Sequence, residues 1–169
     1  MAKPSTLKPI PDYVLGFLYN RGYINKTTGE IRLQCADAKT LKYIQASLGG
    51  SITGRILRVY DSHLSTSLLL YRQTPPATIT HLFIHGYFDA NGCVYLRKSK
   101  YLQISISGER HFLLRLQAIL VFHDIKSFVK PCKNSHTLIF SKRSSIILFR
   151  NMLSNVCGME KHRLKLFSV

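Results

Sequence analysis

Asp12 to Ile24 reads DYVLGFLYNRGYI, and 70 residues further on Leu82 to Val94 reads LFIHGYFDANGCV, so that Gly16 and Gly22 fall on Gly86 and Gly92. Each stretch is apolar over about three helical turns and closes on a glycine, which takes the left-handed conformation ending a helix at no steric cost. A segment that recurs at a fixed separation marks a duplicated unit.

The sequence after each stretch recurs as well. Tyr23 to Asn25 and Ile31 to Ala36 flank a polar turn, as do Cys93 to Lys98 and Tyr101 to Ser107, and both pairs predict hairpins. Helices are predicted at Ala38 to Leu48, with Leu41 and Ile44 inward, and at Glu109 to Val121, with Leu113, Leu116 and Leu120 inward. Gln45-Ala46 and Gln117-Ala118 align within them. Strands are then expected around Ile52 to Val59 and Ser65 to Arg72, and at Ile125 to Lys130 and Thr137 to Ser141. A helix from Lys142 to Leu153 closes the second half, whereas the first runs through Gln73-Thr74-Pro75-Pro76 into its successor. The chain is thus expected to be α+β, built from two αββαββ(α) repeats. Its divisions are an arm at 1–8, a first repeat at 9–74, a linker at 75–77 and a second repeat with a C-terminal tail at 78–169.

Charge narrows the partner. The chain carries 24 Lys and Arg against eight Asp and Glu, a formal charge of +16, and 46% of its residues are hydrophobic. That is enough apolar material for a core, and the field favours a polyanion, with nucleic acid ahead of an anionic membrane surface or a merely solvated cationic face. No apolar run is long enough to span a membrane, and nothing at Met1 to Pro11 reads as a secretory or transit segment. Cys35, Cys93, Cys132 and Cys157 are widely spaced without a CxxC, which speaks against a zinc cluster and for a reducing compartment. His81 and His85 stand four apart with no third ligand nearby in sequence, so no metal site is expected from them.

The two glycine-ended stretches resemble the motif of the LAGLIDADG homing endonucleases and intron maturases, in the single-chain, two-motif form. The first copy spans Val14 to Gly22 and the second Ile84 to Gly92. The resemblance implies a saddle of two antiparallel sheets, with the motif helices packed side by side through Gly16 and Gly86 and a monomer of internal pseudo-twofold symmetry. It also implies a pair of converging carboxylates, one near each motif end, to hold divalent metal. Those positions are Arg21 and Asn91 here. A guanidinium accepts no ligand bond and opposes a cation, so the catalytic set is none and Mg²⁺ enters only if the chain is an endonuclease of unorthodox design. Arg21 at the saddle centre would instead pair with a phosphate. Asp89, the remaining carboxylate of the motifs, is expected to serve locally at the helix terminus.

Strand alternation supplies the candidate binding face. Ile31, Leu33 and Cys35 point one way and leave Arg32 and Gln34 on the other beside Tyr23 and Asn25; Leu102, Ile104 and Ile106 likewise leave Gln103 and Ser105 beside Tyr95 and Arg97. Lys26, Lys98, Lys100, Lys130, Lys133, Lys142 and Arg143 are candidate phosphate contacts, and Met159 to Val169 is either a basic docking arm or a closing element. The function expected is that of a catalytically degenerate nucleic-acid binder. Structured RNA is favoured over double-stranded DNA, as in a splicing cofactor or a ribonucleoprotein such as an organellar ribosome of a mitochondrion or chloroplast. The alternatives are a DNA-cleaving homing endonuclease and a DNA-binding repressor.

Overall fold

The computed structural model describes residues 10–74, 76–97 and 101–153. The arm, Lys98, Lys100 and the basic tail lie outside the described residues. The first half runs α1 (Asp12–Tyr19), β1 (Tyr23–Ile24), β2 (Glu30–Gln34), α2 (Ala38–Leu48), β3 (Ser51–Thr53), β4 (Ile56–Tyr60) and α3 (Ser62–Gln73). The same order returns as α4 (His81–Asn91), β5 (Gly92–Leu96), β6 (Leu102–Gly108), α5 (Arg110–Phe122), β7 (Phe128–Cys132), β8 (Ser135–Phe140) and α6 (Arg143–Leu153). Each half forms one antiparallel four-stranded sheet, in the orders β1-β2-β4-β3 and β5-β6-β8-β7.

Local chemistry sets the helix starts. Asp37 accepts the Thr40 amide at 2.9 Å and Asp61 the Leu64 amide at 2.9 Å, satisfying donors that the first turn leaves open. Thr80 does the same for α4 at Phe83, 3.2 Å away, while its hydroxyl donates to Asp12 at 2.7 Å and ties the start of α4 to α1.

The two motif helices, α1 and α4, touch backbone to backbone. A Cβ on Gly16 would lie 2.1 Å from the Phe83 carbonyl oxygen, and one on Gly86 would lie 1.9 Å from that of Tyr13. The 70-residue offset turns one contact into the other, so the crossing is reciprocal, as an internal dyad demands. Each helix also lends a residue to the opposite core: Tyr19 packs with Phe83 and Phe112 in the second, and Ala90 joins the first.

Several boundaries differ from expectation. Ser65 to Arg72 is helix rather than strand: Asp61 caps α3, and Leu64, Ser65 and Leu68 bury one side at helical spacing. Ile52 to Val59 is two strands, broken at Gly54 with φ of 60°. The strand expected from Ile125 begins only at Phe128, because Asp124 turns with φ of 59° and the Ile125 amide returns to the Leu120 carbonyl at 2.8 Å. Gly22 is left-handed with φ of 89°, but Gly92 is extended with φ of −89°. Gly92 is needed for space instead, since a Cβ there would lie 2.2 Å from the buried Phe88 ring.

Candidate nucleic-acid interface

Where α1 ends, cations satisfy the carbonyls. Arg21 Nε donates to the Ala90 carbonyl at 2.8 Å, so the guanidinium leaving the first motif helix closes the last turn of the second. Arg72, on α3, donates to the Leu18 carbonyl at 2.7 Å and to Gly22 at 3.1 Å, and also to Arg21. Burial lowers the pKa of Arg72 from its ordinary value. Asn91 turns its amide back to the Tyr87 carbonyl at 3.2 Å.

This chemistry does not fit the divalent cation that the fold resemblance implies. The carboxylates of the described residues are committed elsewhere: Asp12 to Thr80, Asp37 and Asp61 to helix caps, and Glu30 to the sheet arginines. Asp124 shapes a turn. Asp89 does not serve the helix terminus, as was expected of it; it is 2% exposed and accepts the Tyr13 hydroxyl at 2.8 Å across the helix crossing. That contact and the Asp89 charge raise the Tyr13 pKa, after burial itself, and keep the phenol protonated. Glu109 approaches the end of α1, sharing a surface cleft of about 430 Å³ with Asn20. No group of three His, Cys, Asp or Glu among the described residues is placed to hold a metal ion.

Each sheet buries one apolar face, and the opposite face is the more open one, although on the second sheet Gln103, Thr137 and Ile139 of that face are buried. In the first, Ile31, Leu33, Leu57 and Val59 are buried, and the register aligns Tyr23, Arg32, Arg58 and Ser51 across the open side. Arg32 pairs with the buried Glu30 at 3.0 Å, Arg58 stands 3.8 Å from it, and the Tyr60 hydroxyl donates to it at 3.3 Å. One carboxylate thus lets two like charges stand side by side. In the second sheet Val94, Ile104, Ile106, Leu138 and Phe140 are buried, and the open side carries a row of Cys93, Ser105, Ile139 and Phe128 and another of Ser107, Thr137 and Lys130.

The expected residues therefore divide. Tyr23, Lys26, Arg32 and Gln34 are exposed on or beside the first open face, and Tyr95, Arg97 and Lys130 on or beside the second, with Ser105 half-buried. Lys133 sits in the β7–β8 turn with φ of 39°, and Lys142 and Arg143 stand at the start of α6. Asn25 is consumed by its own turn, where its side chain accepts the Thr27 amide at 2.9 Å. Gln103 has the expected facing but is 1% exposed, its amide donating to the Tyr95 hydroxyl, so it is not a free reader. Alternation in Ile56 to Tyr60 could have revealed Arg58 and Tyr60, which sequence reasoning missed. Arg72 had no such signal, being hidden in a stretch read as strand.

No protein-family model matches the chain, and no curated protein matches it in sequence. Solved structures do. The homing endonuclease I-WcaI bound to its DNA recognition sequence is similar with a TM-score of 0.70 and 13% identity over 96% of this chain and 88% of that one. The N-terminal LAGLIDADG domain of DUF199/WhiA gives 0.62 at 14% identity, covering 95% of this chain and 90% of that one. I-DmoI in complex with DNA and Ca gives 0.60 at 18% identity, covering 85% and 88%. The chain has the α+β fold of the LAGLIDADG homing endonucleases in its single-chain, two-motif form.

Proposed function

We propose that the protein binds nucleic acid on the open faces of its two sheets without cutting it, and that its target is structured RNA, in a splicing complex or an organellar ribonucleoprotein. The observation that carries the non-cleaving part is the pair of guanidiniums at the end of α1, where Arg21 holds Ala90 and Arg72 holds Leu18 and Gly22. A divalent ion there would meet fixed positive charge in place of carboxylate. Binding itself is supported by the net charge of +16 and by the arginine row of the first sheet. DNA-bound neighbours of the same fold support a nucleic-acid role and favour DNA as the second reading. Arg32, Arg58 and Gln34 suit base edges in a DNA major groove. A-form RNA closes that groove and leaves backbone, 2′-hydroxyls and splayed bases to be gripped.

The test is a cleavage assay on bound RNA and DNA with Mg²⁺ or Mn²⁺. The unmodified chain is expected to leave both strands intact, and Arg21→Asp with Asn91→Asp to gain metal-dependent nicking. Robust metal-dependent cutting by the unmodified chain would move the protein to the homing endonucleases.

A further inference from the structure

The open faces differ at positions that the repeat makes equivalent. Tyr23 and Cys93 stand 70 residues apart, and each begins a row across its sheet. The first row continues through Arg32 and Arg58 to Ser51; the second continues through Ser105 and Ile139 to Phe128. An arginine pair in one sheet is thus answered by serine and isoleucine in the other, with a phenylalanine on the edge strand.

Ile139 is part of the buried core, but Phe128 is not. Ile139 is 3% exposed, whereas Phe128, directly opposite it on the edge strand, is 54% exposed. The surroundings are those of a phosphate-bearing ligand: Lys130 is exposed on the same face of β7, about 7 Å further along the strand. Thr137 and Ser107 share the Lys130 row. The formal charge of +16 favours a polyanionic partner.

An exposed aromatic ring grips nucleic acid by stacking, which needs a base whose face is free. In a duplex those faces are occupied by neighbouring bases. We infer that the exposed ring of Phe128 seats one unpaired nucleobase, with Lys130 on the adjoining phosphate and the arginine row of the first sheet on flanking backbone. The inference rests on the nucleic-acid reading above and adds that the bound strand is unpaired at this point.

The experiment uses the full chain and three fluorescein-labelled probes of one mixed sequence: single-stranded RNA, the RNA duplex and the DNA duplex. Fluorescence anisotropy is expected to show the single strand bound about tenfold more tightly than either duplex, and Phe128→Ala to lose about tenfold on the single strand alone, the scale of one stacked base. Phe128→Tyr should bind as the unmodified chain does. Arg32→Ala with Arg58→Ala should weaken all three probes. Duplexes bound as tightly as the single strand, no loss from Phe128→Ala, or equal loss on every probe would overturn the inference while leaving nucleic-acid binding in place. Failure of every probe to bind would overturn both.

Discussion

Gly86 has no room for a methyl group, because the position its Cβ would occupy lies 1.9 Å from a backbone oxygen of Tyr13. A side chain could rotate away; a helix backbone cannot without parting α1 from α4. Gly86→Ala is therefore expected to cost about 3 kcal/mol or more in chemical denaturation, the upper range for overpacking. An unchanged midpoint would mean that the helices do not cross there. Gly16 and Gly86 were legible because their spacing repeats. Asp89 was misread because its partner, Tyr13, lies 76 residues away on the other motif helix. The same crossing that brings Tyr19 to Phe83 brings Asp89 to Tyr13, so one side of it is aromatic and the other a buried carboxylate and phenol. Gln103 shows a further limit: alternation gives the face on which a side chain sits, but not whether a neighbour such as Tyr95 has claimed it.

At the scale of elements, α3 is both the largest misreading and the source of the least expected contact. Leu68-Leu69-Leu70-Tyr71 is apolar throughout, and so short a run does not separate strand from helix by period. Asp61, the capping residue before it, carries the missing information. The hairpins and the α2 and α5 helices were legible because period and turn chemistry agreed in each. Once α3 is helical, Arg72 in its last turn reaches the Leu18 and Gly22 carbonyls and fixes the path from α1 into β1. Arg72→Met keeps much of the stem and removes the donors, leaving part-buried carbonyls unmatched. It is expected to lower stability by about 2 kcal/mol, as for hydrogen bonds to a charged group. A thermal or urea midpoint equal to that of the unmodified chain would show that Arg72 does not hold the turn.

For the molecule as a whole, duplication supplies the scaffold and divergence supplies the chemistry. Both halves keep the same order of elements and the same strand order, while their motif ends and open faces have drifted apart: Arg21 against Asn91, Arg58 against Ile139. The scaffold was legible because it is written twice, whereas the difference between the faces emerges only when cross-strand register is known. What both halves share is positive charge. Arg32, Arg58, Arg97, Lys26, Lys130, Lys142 and Arg143 lie on or beside the sheets and helix starts, with few carboxylates to oppose them. A surface that binds by neutralising phosphates releases counterions, so its affinity must fall with salt. The measurement that tests this most directly is the dissociation constant of the full chain for a labelled RNA as salt is raised from about 50 to about 200 mM, with a loss of about a thousandfold or more expected for six to ten phosphate contacts. An affinity that stays level across that range would contradict nucleic-acid binding through these cations.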